Sequence, residues 1–208
     1  MARAALIWAA LGLVLTIPVA VAAMSPLLEW RSPVYIAAGF AGVIAMGLLL
    51  VQPLLAAGYL PGLPTRPGRR LHRWVGAGLV AAIAIHIGGL AIFSPPDVVD
   101  ALTFTAPTLF SHFGVVAMWA LIGAATLALL RRPARLRPKL WRIGHSALAA
   151  TVVVTSVAHA LLIEGTMGTA TKALLCLLAL AATAKAMYDL RAWALLARRR
   201  AGAHSNAE

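Results

Sequence analysis

The chain has 208 residues, 62% of them apolar and only 12% charged, with a mean hydropathy of +0.88. Soluble domains average roughly 45–50% apolar and 25% charged residues, which excludes a water-soluble enzyme and a disordered chain and leaves an all-α bundle of membrane helices. The formal charge of +12 has no soluble face to sit on, so nucleic acid is excluded as a partner and the charge reads as a topology signal.

A helix needs roughly 20 apolar residues to cross the hydrocarbon core. Six stretches qualify, at about 4–24, 34–60, 74–93, 109–130, 143–163 and 169–190, and they predict one six-span domain over residues 1–200 with a polar tail at 201–208. Ser25-Pro26, Pro61 to Pro67, Ser94-Pro95-Pro96, Pro133 and Pro138 punctuate the breaks. Pro18 is taken as the one proline well inside a span, a position that membrane helices tolerate. The first span also reads as a secretory signal ending at Val21-Ala22-Ala23, but its apolar run exceeds the usual 7–15-residue signal core, roughly speaking, so retention is expected.

With both termini on one side, every Lys and Arg except Arg31 and Lys172 falls on that side. The opposite side also carries Glu29, Asp97, Asp100 and Glu164. The positive-inside rule therefore predicts cytoplasmic termini and a multi-pass protein of the cell inner membrane, surrounded by lipid.

Ionisable residues within membrane spans mark function by default. Two histidine pairs, His72/His86 and His145/His159, share one interval of 14 residues. Fourteen residues fall about 40° short of four helical turns and rise about 21 Å, so both members of a pair face the same way at different depths. The third and fifth spans run in the same direction, which brings His72 level with His145 and His86 level with His159. Two imidazoles at one depth on parallel helices are the axial ligands that a six-coordinate heme iron takes. The spacing thus predicts two stacked, non-covalent b-type hemes, with iron ligands His72, His145, His86 and His159. The single Cys176 supplies no CxxCH site for covalent heme. Zinc, which prefers a closed tetrahedral cluster, does not suit ligands 21 Å apart.

Between the ligands, Val75, Gly76, Leu79, Ala82 and Ile83 form one strip, and Leu148, Ala149, Val152, Thr155 and Ser156 the other. Small residues near the ligands (Gly76, Gly88, Gly89 and Ala149) admit a wide ring or serve helix packing. An offset of 73 aligns His72 with His145, His86 with His159 and Arg69 with Arg142, giving Arg-x-x-His twice. Arg69, Arg73 and Arg142, with Lys139 nearby, are candidate partners for heme propionates or simply a basic flank. His112 is a candidate alternative ligand, proton carrier or propionate partner, or an interfacial histidine without a ligand role. His204 is assigned nothing.

At His72-x13-His86 and His145-x13-His159 the chain resembles the ferric reductase-like transmembrane domain family, the heme core shared with NADPH oxidases. The resemblance spans roughly helices two to six. It implies that His72 and His145 bind an inner heme, His86 and His159 an outer one, and that single electrons pass from a cytosolic flavin to ferric iron, oxygen or a periplasmic partner. The chain is also similar to the heme membrane subunit of periplasmic methionine sulfoxide reductase systems. Members of that branch generally lack a histidine at the position of His72, so the full quartet sides with the ferric reductases. No GxGxxG follows a strand and little chain follows the sixth span, so the expected flavin belongs to a cytoplasmic flavoprotein partner. The expected role is an oxidoreductase electron-transfer subunit, fed by a flavoprotein or by quinol, with a periplasmic acceptor protein as outer partner. A small heme-free transporter or membrane-assembly protein is the rival from another class, and it predicts helices broken by Gly or Pro near the midplane.

Overall fold

A computed structural model describes residues 1–131 and 133–205, with side chains as far as Leu190. Arg132 and residues 206–208 of the expected tail lie outside the described residues. Among the described residues the fold is all-helical: α1 Ala2–Ala23, α2 Pro33–Ala57, α3 Thr65–Phe93, α4 Pro95–Leu102, α5 Leu109–Leu130, α6 Pro138–Leu162 and α7 Thr169–Ser205. Six of these are long and apolar enough to cross a membrane, the short α4 being the exception. The chain is a multi-pass helical membrane bundle.

Local sequence sets the helix ends. Ser32 caps α2 by accepting a hydrogen bond from the Tyr35 N–H, with Pro33 in the first turn. Gly58 closes the same helix in the left-handed conformation, φ 72°, which a residue without Cβ adopts freely. α3 starts at Thr65, ahead of its apolar run: Pro67 falls in the first turn, where its missing N–H costs no helical hydrogen bond, and Arg69, Arg70, Leu71 and Arg73 are ordinary helix formers. His72 is therefore inside a continuous helix and not at its margin. The same holds for α6, which starts at Pro138 and takes in His145. α7 runs on through Lys185 and Asp189 to Ser205, so the stretch expected as a polar tail begins as helix. Pro53 lies inside α2 as well, which corrects the view that Pro18 was the one interior proline. It occupies the last turns of α2 and does not break the helix at mid-length.

Packing joins the helices into two antiparallel pairs, α2 with α3 and α5 with α6. α7 bridges the pairs by packing on both α2 and α6, and α1 sits against α2 and α7. The core where they meet includes Met46, Leu49, Leu50, Leu79, Val152, Val153, Leu175 and Ala179. At one end of the bundle the α2–α3 turn is tied to α7: the Tyr59 hydroxyl donates to Asp189 at 2.5 Å, and Lys185 pairs with the same carboxylate at 2.8 Å. Burial and that carboxylate raise the Tyr59 pKa above its ordinary value of 10.0. α3 and α6, the two helices that carry the four paired histidines, scarcely touch each other. A lightly packed seam thus lies between the two helix pairs, at the level of the histidines.

Candidate functional site

α3 and α6 each hold two histidines fourteen residues apart on one unbroken helix. Their rings meet across the seam in the expected pairs. The His72 and His145 ring centres lie 6.3 Å apart with planes at 75°, and those of His86 and His159 lie 6.4 Å apart at 81°. Two metal–nitrogen bonds of roughly 2.0 Å, plus ~1.1 Å from each nitrogen to its ring centre, call for ring centres about 6.2 Å apart. Both pairs stand at the separation of two imidazoles facing one metal atom.

Three of the four rings are tied from behind. His72 Nδ1 lies 3.1 Å from the Gln52 carbonyl, His86 Nδ1 2.7 Å from that of Ala38, and His159 Nδ1 2.7 Å from that of Phe110. A backbone carbonyl accepts only, so Nδ1 carries the proton and Nε2 is left as the bare nitrogen lone pair. Metal-ligating histidines are oriented in this way. His145 differs. Its Nδ1 is buried, lies toward the Ala124 carbonyl and makes no hydrogen bond. Its ring is instead stacked on Trp141, 5.2 Å away and within 8° of parallel, and the Arg131 guanidinium covers that indole at 4.2 Å.

The outer rings reach their carbonyls through two notches that the sequence reading missed. A Cβ at Gly42 would come within 3.0 Å of His86 Nδ1, and one at Gly114 within 2.8 Å of His159 Nδ1. In each case the glycine lies four residues after the accepting carbonyl, Ala38 or Phe110, so its own N–H shares that acceptor. Only a residue without a side chain leaves the imidazole room. The signal was available: Gly42 and Gly114 are 72 residues apart, one short of the histidine offset. Of the two readings for Gly76 and Gly89, helix packing holds: they face α2, against the Gln52 side chain and Ala38 respectively. Gly88 faces open space. The two strips between ligands, Val75 to Ile83 and Leu148 to Ser156, are buried or half-buried at each named position.

Arg69, Arg73 and Arg142 are exposed at the His72–His145 end. His112 is engaged elsewhere: its Nε2 lies 3.2 Å from the Phe104 carbonyl and its ring stacks on Phe104 at 5.7 Å, in the α4–α5 connection. Among the described residues no three His, Cys, Asp or Glu side chains converge to hold a bare metal ion. The site therefore consists of two histidine pairs, an arrangement that suits a macrocycle bringing its own equatorial donors.

A family model described as ferric reductase like transmembrane component matches residues 38–156. The chain belongs to the ferric reductase-like transmembrane family. No similar curated protein and no similar solved structure was found. The match begins at Ala38, whose carbonyl holds His86, and takes in His72, His86 and His145, while His159 stands three residues beyond its end. Family membership makes the chain a membrane redox component.

Proposed function

We propose that this chain is a transmembrane b-type cytochrome, with one heme held by His72 and His145 and a second by His86 and His159. It moves electrons from a cytoplasmic donor to an acceptor outside. The observation that carries this reading is the doubled pair: ring centres 6.3 and 6.4 Å apart, on two helices that leave a seam between them. A buried polar atom beside the first pair adds support. Trp141 Nε1 has no hydrogen-bond partner among the described residues, a costly arrangement unless a ligand supplies an acceptor.

When bound, heme supplies reversible one-electron iron chemistry that no amino-acid side chain here offers. The protein's part is to fix the ligands. The Gln52, Ala38 and Phe110 carbonyls hold three imidazoles with Nε2 free, while Gly42 and Gly114 let the outer rings seat. Apolar strips between the ligands keep water out, and exposed apolar side chains such as Ile85, Trp119 and Val154 face lipid. The excess of basic residues at one end supports a course with the termini and the His72–His145 pair on the cytoplasmic side of the inner membrane. Arg66 to Arg73 and Arg131 to Arg142 form a basic rim there that would steer an acidic flavoprotein toward the inner pair. Rapid-mixing reduction should slow as salt rises if that rim guides the donor.

Purified from heme-replete cells, the full chain should give the reduced-minus-oxidised spectrum of low-spin b heme. Pyridine hemochrome should count two hemes per chain. A colourless preparation would end this reading.

A further inference from the structure

The two ends of the seam are not equivalent in what they leave unsatisfied. At the outer pair both Nδ1 atoms are bonded to carbonyls. At the inner pair the Trp141 indole N–H is buried and, among the described residues, unpartnered, one helical turn before His145 and toward the basic end of α6. The Arg131 guanidinium, from the end of α5, lies 4.2 Å over that same indole. A fixed N–H donor beside a guanidinium is a receiving site for a carboxylate, because charge-assisted hydrogen bonds to both groups are shorter and stronger than neutral ones. Arg69, Arg73 and Arg142, which sequence spacing offered as candidates for this task, are exposed as Arg131 is, but among the described residues it is Arg131 that lies over the Trp141 ring.

We propose that Trp141 Nε1 and the Arg131 guanidinium together receive a carboxylate side chain of the heme held between His72 and His145. This rests on the two-heme reading above and assigns two residues to it. The arrangement gives Trp141 two roles. Its face packs His145 in place of the carbonyl that steadies the other three ligands, and its edge anchors the macrocycle. Withdrawing the donors leaves the carboxylate charge uncompensated, which favours ferric over ferrous iron and lowers the midpoint potential of the inner heme.

The test uses the purified holoprotein and three variants, Trp141→Phe, Arg131→Gln and Arg142→Gln. Phenylalanine keeps an aromatic face against His145 and removes the N–H donor. Potentiometric titration should show the inner heme shifted about tenfold toward the ferric state in Trp141→Phe and in Arg131→Gln, about 59 mV for one electron. Arg142→Gln should leave it in place. The propionate bending band in resonance Raman should move with the first two variants and not with the third. A second measurement isolates the carboxylate: the apoprotein and its variants are reconstituted with heme dimethyl ester. With the esterified ring, Trp141→Phe and Arg131→Gln should no longer differ from the parent chain. Variants that load two hemes and match the parent in potential and Raman band would overturn the proposal while leaving the two-heme reading intact, as would a difference that persists with the ester. A parent chain that binds no heme would overturn both.

Discussion

The outer and inner histidine pairs sit on the same two helices at the same interval, yet the chain holds them by different means. His86 and His159 are each clamped by a carbonyl at 2.7 Å, reached through a glycine notch on the neighbouring helix. His72 has a longer carbonyl contact of 3.1 Å, and His145 has an aromatic stack where the others have a hydrogen bond. The outer site is thus fixed by backbone of α2 and α5, deep in apolar surroundings where an imidazole has few alternatives. The inner site lies near the basic end, where long side chains reach it. Residue identity is shared between the two pairs, and their surroundings are where they part.

The largest effects should come from the ligands. Replacing His86 or His159 with alanine should cost the outer heme alone, so that hemochrome falls from two per chain to one. Replacing His72 or His145 should cost the inner one. His112 should not rescue a missing outer ligand, since its ring is committed to Phe104. His86→Ala and His86→Ala/His112→Ala should therefore bind the same amount of heme.

The glycine notches sharpen the comparison next. Gly114→Ala places a methyl within 2.8 Å of His159 Nδ1, and Gly42→Ala places one at 3.0 Å from His86. Overpacking of this kind typically costs about 1–3 kcal/mol. Outer-heme occupancy should fall in both variants, more in Gly114→Ala, with the inner heme unchanged in optical titration.

A smaller effect separates the two sites in potential. Carbonyl hydrogen bonds raise the basicity of both outer ligands and so favour ferric iron there, whereas His145 lacks such a bond and Arg131 lies close by. Titration of the single-heme variants His145→Ala and His159→Ala should give the inner heme the higher midpoint. Equal values would mean that the tethering difference has no electronic consequence.

The smallest effect is expected far from the seam. Tyr59→Phe removes the 2.5 Å bond to Asp189 that ties the α2–α3 turn to α7. The folded state raises the Tyr59 pKa, so its contribution is fully present below the ordinary value of 10.0 and is lost as pH rises through the raised one. The thermal stability of the parent should therefore drop more steeply than that of Tyr59→Phe above about pH 10, with heme content unaffected in both.

Much of this site was legible in the sequence because its determinants are periodic. Fourteen residues is close to a whole number of helical turns, and spans of like direction put His72 beside His145 and His86 beside His159. Apolar length alone located the six spans, although charged first turns hid the true starts of α3 and α6. What stayed hidden depends on helices packing side by side. Gly42 and Gly114 look like any small residue in a membrane helix until α2 meets α3 and α5 meets α6. Trp141 reads as an interfacial aromatic until His145 is seen stacked on it. His112 has the right chemistry, and only the structure shows its ring held by the Phe104 carbonyl and stacked on the Phe104 ring.

The central claim is that each heme bridges α3 and α6 at one depth, and double replacements test it most directly. His72→Ala/His145→Ala should keep one heme per chain, because both losses fall on the inner pair. His72→Ala/His159→Ala should keep none, because one ligand is lost from each pair. The reverse pattern, one heme in the second variant and none in the first, would contradict the pairing and the parallel course of the two helices on which it depends.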